Sequence, residues 1–299
     1  MAWLQLKASI APEQAEWLEE LLLAEGASAI TLQDAHDEPV FEPDRGTTPL
    51  WRETVLTGLY DDLNEVEAMI ERVQRAWAEQ SPDEPAPQID YELLADRDWE
   101  REWMDGFEPL QMGKRLWIVP SWHEAPDPEA VNLLLDPGLA FGTGTHPTTA
   151  LCLGWLDAQA LDQRQILDYG CGSGILAIAA LKLGAEIAVG VDIDPQALQA
   201  SRDNAERNGI DESQLILNYP EKLGQGRFEV VVANILAGPL VELAAQIAAR
   251  VVPRGRIALS GILGAQTDSV LDAYRAQGIV MDEPQEKEGW MLLTGYRPD

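Results

Sequence analysis

Three alternating glycines stand between a short apolar segment and a segment of high helix propensity in the second half of this sequence. Residues 168–174 read DYGCGSG, and residues 175–181 read ILAIAAL. Glycines at a turn from strand to helix let the backbone approach a bound ligand closely. The pattern predicts that Gly170, Gly172 and Gly174 form a turn of this kind at a nucleotide-type site.

An acidic residue follows this glycine loop at the distance that such a site requires. Asp192 ends the next apolar segment, about 20 residues beyond the loop, where a carboxylate can accept hydrogen bonds from both hydroxyls of a ribose. Asp194 followed by Pro195 is the pattern of a helix N-terminus, which predicts a structural role for Asp194. The loop together with Asp192 is therefore more specific than the glycines alone.

The spacing inside the loop separates classes of cofactor. Loops that bind dinucleotides read G-x-G-x-x-G and direct a helix N-terminus at a pyrophosphate, whereas this loop reads G-x-G-x-G. The chain contains no G-x-x-x-x-G-K-[ST] segment, which disfavours hydrolysis of nucleoside triphosphates. A cofactor with an amino-acid tail fits the loop better.

Residues at the ends of successive strands meet only if the strands run in parallel. From about residue 150 onward, apolar strand-like segments alternate with helical segments, which predicts a mostly parallel, seven-stranded, Rossmann-like α/β sheet covered on both faces. The pattern predicts one helix over residues 240–251 and a strand over 257–260. Segments near 279–282 and 290–296 have no helix between them, so we expect a closing hairpin with one antiparallel strand.

The first third of the chain has a different periodicity. Its segments follow the order β-α-β-β-α-β, which predicts a small α+β ferredoxin-like domain. We expect this domain over residues 1–95, a connector over 96–113 and the α/β domain over 114–299. Within the connector, Trp99 and Trp103 have the i, i+4 spacing of a short helix.

Composition limits the partners and the compartment. The net charge of -30 at pH 7 disfavours binding to a phosphate backbone and favours a basic protein partner, although acidic surfaces also serve solubility. The two cysteines and three histidines show no disulfide framework and no metal-ligand spacing, so no metal is expected. No apolar run reaches the ~18 residues of a membrane span, and we expect a cytoplasmic protein.

The loop and Asp192 resemble those of class I S-adenosylmethionine-dependent methyltransferases. Two further stretches, FGTGTHPTT at 141–149 and VVANILA at 231–237, resemble the PrmA family, whose members methylate ribosomal protein L11 of the large subunit. The resemblance implies S-adenosyl-L-methionine as cofactor, contacted by Thr145, Gly170, Asp192 and Asn234, besides the turn glycine Gly172. It further implies methylation of lysine side chains and of the N-terminal α-amine, with the front domain recognising the substrate.

Two side chains near these stretches are candidates for a direct part in the chemistry. Asn234 ends the fourth predicted strand, and its amide can donate to or accept from an incoming amine or the cofactor tail. The segment NILA lacks the prolines and aromatic ring of the related NPPY segment, which disfavours methylation of glutamine or adenine. His146 is open to interpretation as a general base, but a histidine that holds the loop before Pro147 is the favoured interpretation.

Two other functions remain open from the sequence. The enzyme could methylate lysines of another protein, such as an electron-transfer flavoprotein subunit, but such single-domain relatives have little use for a front domain. Alternatively, the chain could be a non-catalytic assembly module that senses the cofactor. The presence of the glycine loop, Asp192 and Asn234 disfavours this module, because a site that has lost its catalytic function is free to lose these residues.

Overall fold

The computed structural model describes residues 3–36, 49–61, 66–81, 85–94, 107–136 and 146–299. The chain divides into two compact units, Met1–Asp105 and Gly106–Asp299. The division falls inside the predicted connector, whose Trp99 and Trp103 lie outside the described residues. Each unit has hydrophobic clusters of its own.

The first unit has the predicted β-α-β-β-α-β order. Its elements are β1 (Trp3–Ile10), α1 (Ala15–Ala24), β2 (Ala29–Asp34), β3 (Thr54–Tyr60), α2 (Val66–Gln80) and β4 (Ile89–Leu94). The sheet order is β2-β3-β1-β4 with antiparallel pairs, which confirms the ferredoxin-like fold. Alternate residues of β1 are buried, and Leu18 of α1 and Val73 of α2 pack in the same core as Leu56 of β3.

The second unit consists of strands and helices in alternation. In chain order they are β5 (Leu110–Met112), β6 (Leu116–Val119), β7 (Val131–Leu134), α3 (Pro147–Asp157), β8 (Gln165–Tyr169), α4 (Ile175–Lys182), β9 (Ile187–Val191), α5 (Pro195–Arg207), β10 (Leu215–Asn218), β11 (Phe228–Asn234), α6 (Ala237–Glu242), α7 (Ala244–Ala248), β12 (Val251–Leu263), α8 (Thr267–Arg275), β13 (Val280–Met281), β14 (Gln285–Lys287) and β15 (Trp290–Tyr296).

The main sheet of this unit has eight strands, one more than predicted: seven follow the order β10-β9-β8-β11-β12-β15-β13, and the short β14 pairs with β15. β8 to β12 pair in parallel, and β15 runs antiparallel to β12, β13 and β14, as predicted for the closing hairpin. Ile166 belongs to one hydrophobic cluster and the adjacent Leu167 to another, because successive strand residues point to opposite faces. The sheet is therefore covered on both faces, which confirms the predicted Rossmann-like class.

Some elements differ from the sequence prediction. The single helix expected over 240–251 is two short helices, α6 and α7, which meet at Leu243. Strand β12 already begins at Val251, because Val251 pairs with Phe228 of β11. β5 lies inside the predicted connector but pairs with β6 in a small separate sheet. In the described ranges, no helix is both long and apolar enough to span a membrane.

Candidate functional site: a cavity at the carboxyl edge of the sheet

The glycine turn between β8 and α4 reverses the chain beside β9. The backbone N–H groups of Gly170 and Cys171 both donate to the carbonyl of Val191, at 2.7 and 3.0 Å. Gly170 has a φ of +79°, and a Cβ atom there would lie 2.2 Å from Cγ2 of Ile235. Only glycine combines this left-handed conformation with so close an approach.

Helix α5 holds the same loop from the other side. The Ser201 hydroxyl donates to the carbonyl of Gly172 at 2.8 Å, and Nδ2 of Asn204 donates to the carbonyl of Ser173 at 2.9 Å. Both of these α5 side chains are buried, so water does not compete for the bonds. The loop carbonyls are tied to the helix, which leaves Gly170 and Gly172 at the surface of a cavity.

Asp192 follows β9 and faces the glycine turn. Its Oδ2 accepts from the N–H of Gly172 at 2.9 Å, and its Oδ1 accepts from the N–H of Asp194 at 3.0 Å. Each carboxylate oxygen retains a second lone pair, so the group can still accept two hydroxyls of a ligand. Asp194 caps α5 by accepting from the N–H of Gln196 at 2.8 Å, in agreement with its predicted structural role.

A cavity of about 520 Å³ opens at the edge where the parallel strands end. Its volume lies in the usual range for small-molecule sites. Gly170, Gly172, Asp192 and Asn234 all line it, whereas Thr145 lies outside the described residues. The other lining residues are His146, Thr148, Tyr169, Val191, Ile193, Pro220, Ile235, Leu236, Pro239, Leu243, Gly261 and Trp290. Among the described side chains, no group of His, Cys, Asp or Glu is arranged to hold a metal ion.

Asn234, at the end of β11, has one side-chain atom without a partner. Its Nδ2 donates to Oγ1 of the buried Thr149 at 3.3 Å, which sets the orientation of the amide. Its buried Oδ1 has no hydrogen-bond partner in the described structure. A buried acceptor without a partner costs about 1 to 3 kcal/mol. An N–H group of a ligand in the cavity would remove this cost.

Asp168 is the last polar residue of β8 before the turn, and it is 1% exposed. Its Oδ2 accepts from the N–H of Ala177 at 3.1 Å, while Oδ1 has no partner in the described structure. Burial raises the pKa of this carboxyl to about 7; the Ala177 hydrogen bond opposes the shift, and the Asp192 charge adds to it. A cationic ligand beside the loop would favour the ionised form of Asp168. The sequence placed Asp168 in the motif but predicted no role for it.

His146 caps α3. Its Nδ1 accepts from the N–H of Thr148 at 3.3 Å and lies 2.8 Å from Oγ1 of Thr148. Burial lowers the pKa of His146, and the charge of Glu288 opposes the shift. Both of these contacts with Thr148 tie the ring to the first turn of α3. These contacts support the interpretation of His146 as a loop-holding residue.

Trp290 is a cavity residue that the sequence reasoning missed. It is the first residue of β15, and because β15 is antiparallel, its beginning lies at the edge where the parallel strands end. The ring of Trp290 packs on that of His146 with a centroid distance of 4.9 Å and an interplanar angle of 68°. The signal was available, since the antiparallel strand was itself predicted. Ile193, 83% exposed beside Asp192, adds an aliphatic surface at the opposite end.

Comparison with known proteins agrees with this arrangement. The family model described as Ribosomal protein L11 methyltransferase (PrmA) matches residues 2–298. Proteins named ribosomal protein L11 methyltransferase are 70% identical over 298 residues in Chromohalobacter salexigens and 56% identical over 299 residues in Marinobacter nauticus, each match covering 100% of both chains. The crystal structure of a ribosomal protein L11 methylase from Lactobacillus delbrueckii subsp. bulgaricus has a TM-score of 0.59 and 31% identity, covering 64% of this chain and 100% of that one. This chain belongs to the ribosomal protein L11 methyltransferase (PrmA) family.

Proposed function

We propose that this enzyme transfers methyl groups from S-adenosyl-L-methionine to amino groups of ribosomal protein L11, on lysine side chains and on the N-terminal α-amine. The observation that carries the proposal is the convergence of Gly170, Gly172, Asp192 and Asn234 on one cavity. Membership of the methyltransferase family supports the reaction type and the substrate.

The cavity residues fit this cofactor by their chemistry. Asp192 would accept the ribose hydroxyls on its remaining lone pairs, and Gly170 and Gly172 would let the backbone lie against the cofactor. Ile193 offers an aliphatic surface for the base next to the ribose. Thr145 is proposed to contact the methionine end. When bound, the cofactor supplies an electrophilic methyl group on a positively charged sulfur.

Asn234 is the residue that we propose to touch the acceptor amine. Its partnerless Oδ1 would accept an N–H of that amine, while the bond from Nδ2 to Thr149 keeps the amide from rotating. Fixing the N–H direction also fixes the direction of the nitrogen lone pair, and alignment of this kind supplies much of the rate of a transfer reaction. The role is positioning by contact, and no proton moves to Asn234.

The acceptor must lose its proton before it can attack. A lysine with a pKa near 10.4 is neutral in about one molecule in a thousand at pH 7.4. Ile235, Leu236 and Leu243 make much of the cavity wall apolar, and an apolar wall lowers the pKa of an amine. We propose that the proton leaves to water as the amine enters the cavity.

The charge of the chain supports a basic protein partner. A net charge of -30 attracts a basic ribosomal protein and repels a nucleic-acid backbone, so we propose no direct binding to nucleic acid and none to membranes. The front domain, residues 1–95, is proposed to recognise the substrate. The cytoplasm, where ribosomal proteins are made, is the proposed location.

One labelling experiment separates this function from the alternatives. The enzyme and labelled S-adenosylmethionine are incubated with an extract of cells that lack the enzyme, and labelled proteins are located by mass spectrometry. We expect label on amines of L11. Label on an electron-transfer flavoprotein subunit alone would support the other lysine methyltransferase, and the absence of label on any protein would support the assembly module.

Variants at two strand ends test the role of Asn234. Asn234→Ala should lower kcat by about ten- to hundredfold, because the acceptor loses its alignment. Asn218→Ala is the matched control, since Asn218 also ends a strand of the same sheet but does not line the cavity. Equal losses in both variants would contradict the proposed contact.

A fragment tests the role of the front domain. Residues 106–299 form a compact unit with its own core and include β5, which a fragment beginning at residue 114 would lack. The 106–299 fragment should bind S-adenosylmethionine but fail to methylate L11, as measured by equilibrium dialysis and label transfer. Circular dichroism verifies that it folds, and full activity on L11 would contradict substrate recognition by the front domain.

A further inference from the structure

We propose that Trp290 forms the acceptor wall of the cavity and that its indole ring contacts the amino group that receives the methyl. The inference rests on the proposed function and assigns the acceptor end of the same site. Its first support is the place of Trp290 in the sheet.

The strand order gives the cavity two distinguishable ends. The described residues proposed to hold the cofactor follow β9 and β8, which are neighbours in the sheet. Trp290 begins β15, two strand spacings beyond β11 and roughly 10 Å further along the edge. Asn234, at the end of β11, lies between the two ends. The end bounded by Trp290 is therefore the end left for the acceptor.

The position of Trp290 is fixed by its neighbours on both sides. Its backbone pairs with Leu263 of β12 and with Lys287 of β14. Its ring packs at 68° on the ring of His146, which is itself held by the N–H of Thr148. A wall held in this way loses little side-chain entropy when an amine binds against it.

The chemistry of the acceptor suits an indole. As the new N–C bond forms and the bond from sulfur to methyl breaks, the positive charge passes to the nitrogen, and the sulfur keeps the bonding electron pair. The nitrogen, which has gained a methyl group, then loses one of its own protons to water if it is to react again. Tryptophan is the aromatic side chain that attracts a cation best, and added methyl groups also pack on the ring. The wall therefore favours both the charged transition state and a methylated amine that must be held for another transfer.

Kinetics of two substitutions test the contact. Trp290→Leu should lower kcat/KM for L11 by about 3- to 30-fold, and Trp290→Phe should lower it less, because phenylalanine retains a weaker aromatic face. The Kd for S-adenosylmethionine should change by less than about twofold. Trp117→Leu is the matched control, since Trp117 is also half-buried in a strand of this unit but does not line the cavity. A loss of cofactor affinity equal to the loss of efficiency, or no loss of efficiency, would overturn the proposal.

A binding measurement on the whole chain does not depend on L11, and a variant serves only to assign one signal. The chain is labelled with 5-fluorotryptophan, saturated with S-adenosylhomocysteine and titrated with choline or with 3,3-dimethylbutanol, which has the same shape without charge. The fluorine signal of Trp290, assigned from its loss in Trp290→Phe, should shift with choline and much less with the alcohol. Equal shifts with the two compounds, or no shift, would refute the proposed contact of Trp290 even if L11 is methylated. A shift with choline, together with no methylation of L11, would support the role of Trp290 and reject L11 as substrate.

Discussion

Replacing Asp192 by alanine is expected to weaken cofactor binding and to loosen the loop at the same time. In the structure, the carboxylate accepts the N–H of Gly172 and the N–H of Asp194, at 2.9 and 3.0 Å. These two bonds orient the group that we propose to accept the ribose hydroxyls. Asp192→Ala removes the ribose contacts and the two loop bonds together.

The expected loss of affinity follows from these bonds. A hydrogen bond to a charged group contributes about 1.5 to 3 kcal/mol, and the half-buried position of Asp192 calls for the lower part of that range. A total loss of about 1.5 to 3 kcal/mol corresponds to roughly ten- to 150-fold weaker binding. Asp192→Asn keeps one acceptor oxygen and should give an intermediate loss.

Isothermal titration calorimetry with S-adenosylmethionine measures the affinity, and denaturant titration measures the stability. Asp194→Ala is the control, because Asp194 caps α5 but does not line the cavity. It should cost about 1 kcal/mol of stability and leave the Kd within about twofold. The reasoning is refuted if Asp192→Ala binds as the unaltered chain does. It is also refuted if both alanine variants lose affinity equally, since the loss would then come from the loop alone.

Three further predictions concern the loop, the buried carboxyl and the partner. Gly170→Ala should weaken cofactor binding more than about tenfold, because its Cβ would meet Ile235. Gly209→Ala is the control: it has a similar positive φ of +67° but open space around it, and should cost only about 1 kcal/mol of stability. Calorimetry compares the cofactor affinities of the two variants, and equal affinities would contradict the steric argument. The pKa of Asp168 is about 7 in the folded chain, above an unfolded value of about 3.9. Between about pH 4 and 7 the folded state therefore binds a proton that the unfolded state has lost. The free energy of unfolding decreases as pH rises through that window. Denaturant titrations at pH 5 and 8 should show a smaller decrease for Asp168→Asn, and identical pH dependence would contradict the shift. Raising salt from about 0.05 to 0.3 M should lower kcat/KM for L11 several-fold while the Kd for the cofactor barely changes, because the screening length is already about 10 Å at 0.1 M. If kcat/KM does not change with salt, the net charge of -30 serves solubility and does not attract the substrate.

The relation between sequence and structure is closest at the glycine turn and Asp192. The glycine spacing and Asp192 predicted a turn and a carboxylate on neighbouring strands, and the structure has both. This succeeded because a turn from strand to helix with positive φ is a local requirement, written in consecutive residues. The ends of parallel strands also share one edge, so Asn234 was expected there as well.

Trp290 was harder to predict from the sequence, for a physical reason. Trp290 reaches the cavity only because β15 runs antiparallel, which brings the beginning of that strand, rather than its end, to the carboxyl edge. The split of the expected helix into α6 and α7 follows no local signal either, and the early start of β12 depends on the pairing of Val251 with Phe228 across the sheet.

By itself, the sequence determined the two fold classes, the glycine turn and the carboxylate of Asp192, because periodicity and backbone requirements act over a few neighbouring residues. Only the tertiary structure decided which side chains share the cavity, that Oδ1 of Asn234 has no partner there and that burial raises the pKa of Asp168. Burial and hydrogen-bond satisfaction depend on atoms contributed by strands and helices far apart in the chain. Those contributions exist only once the sheet has formed.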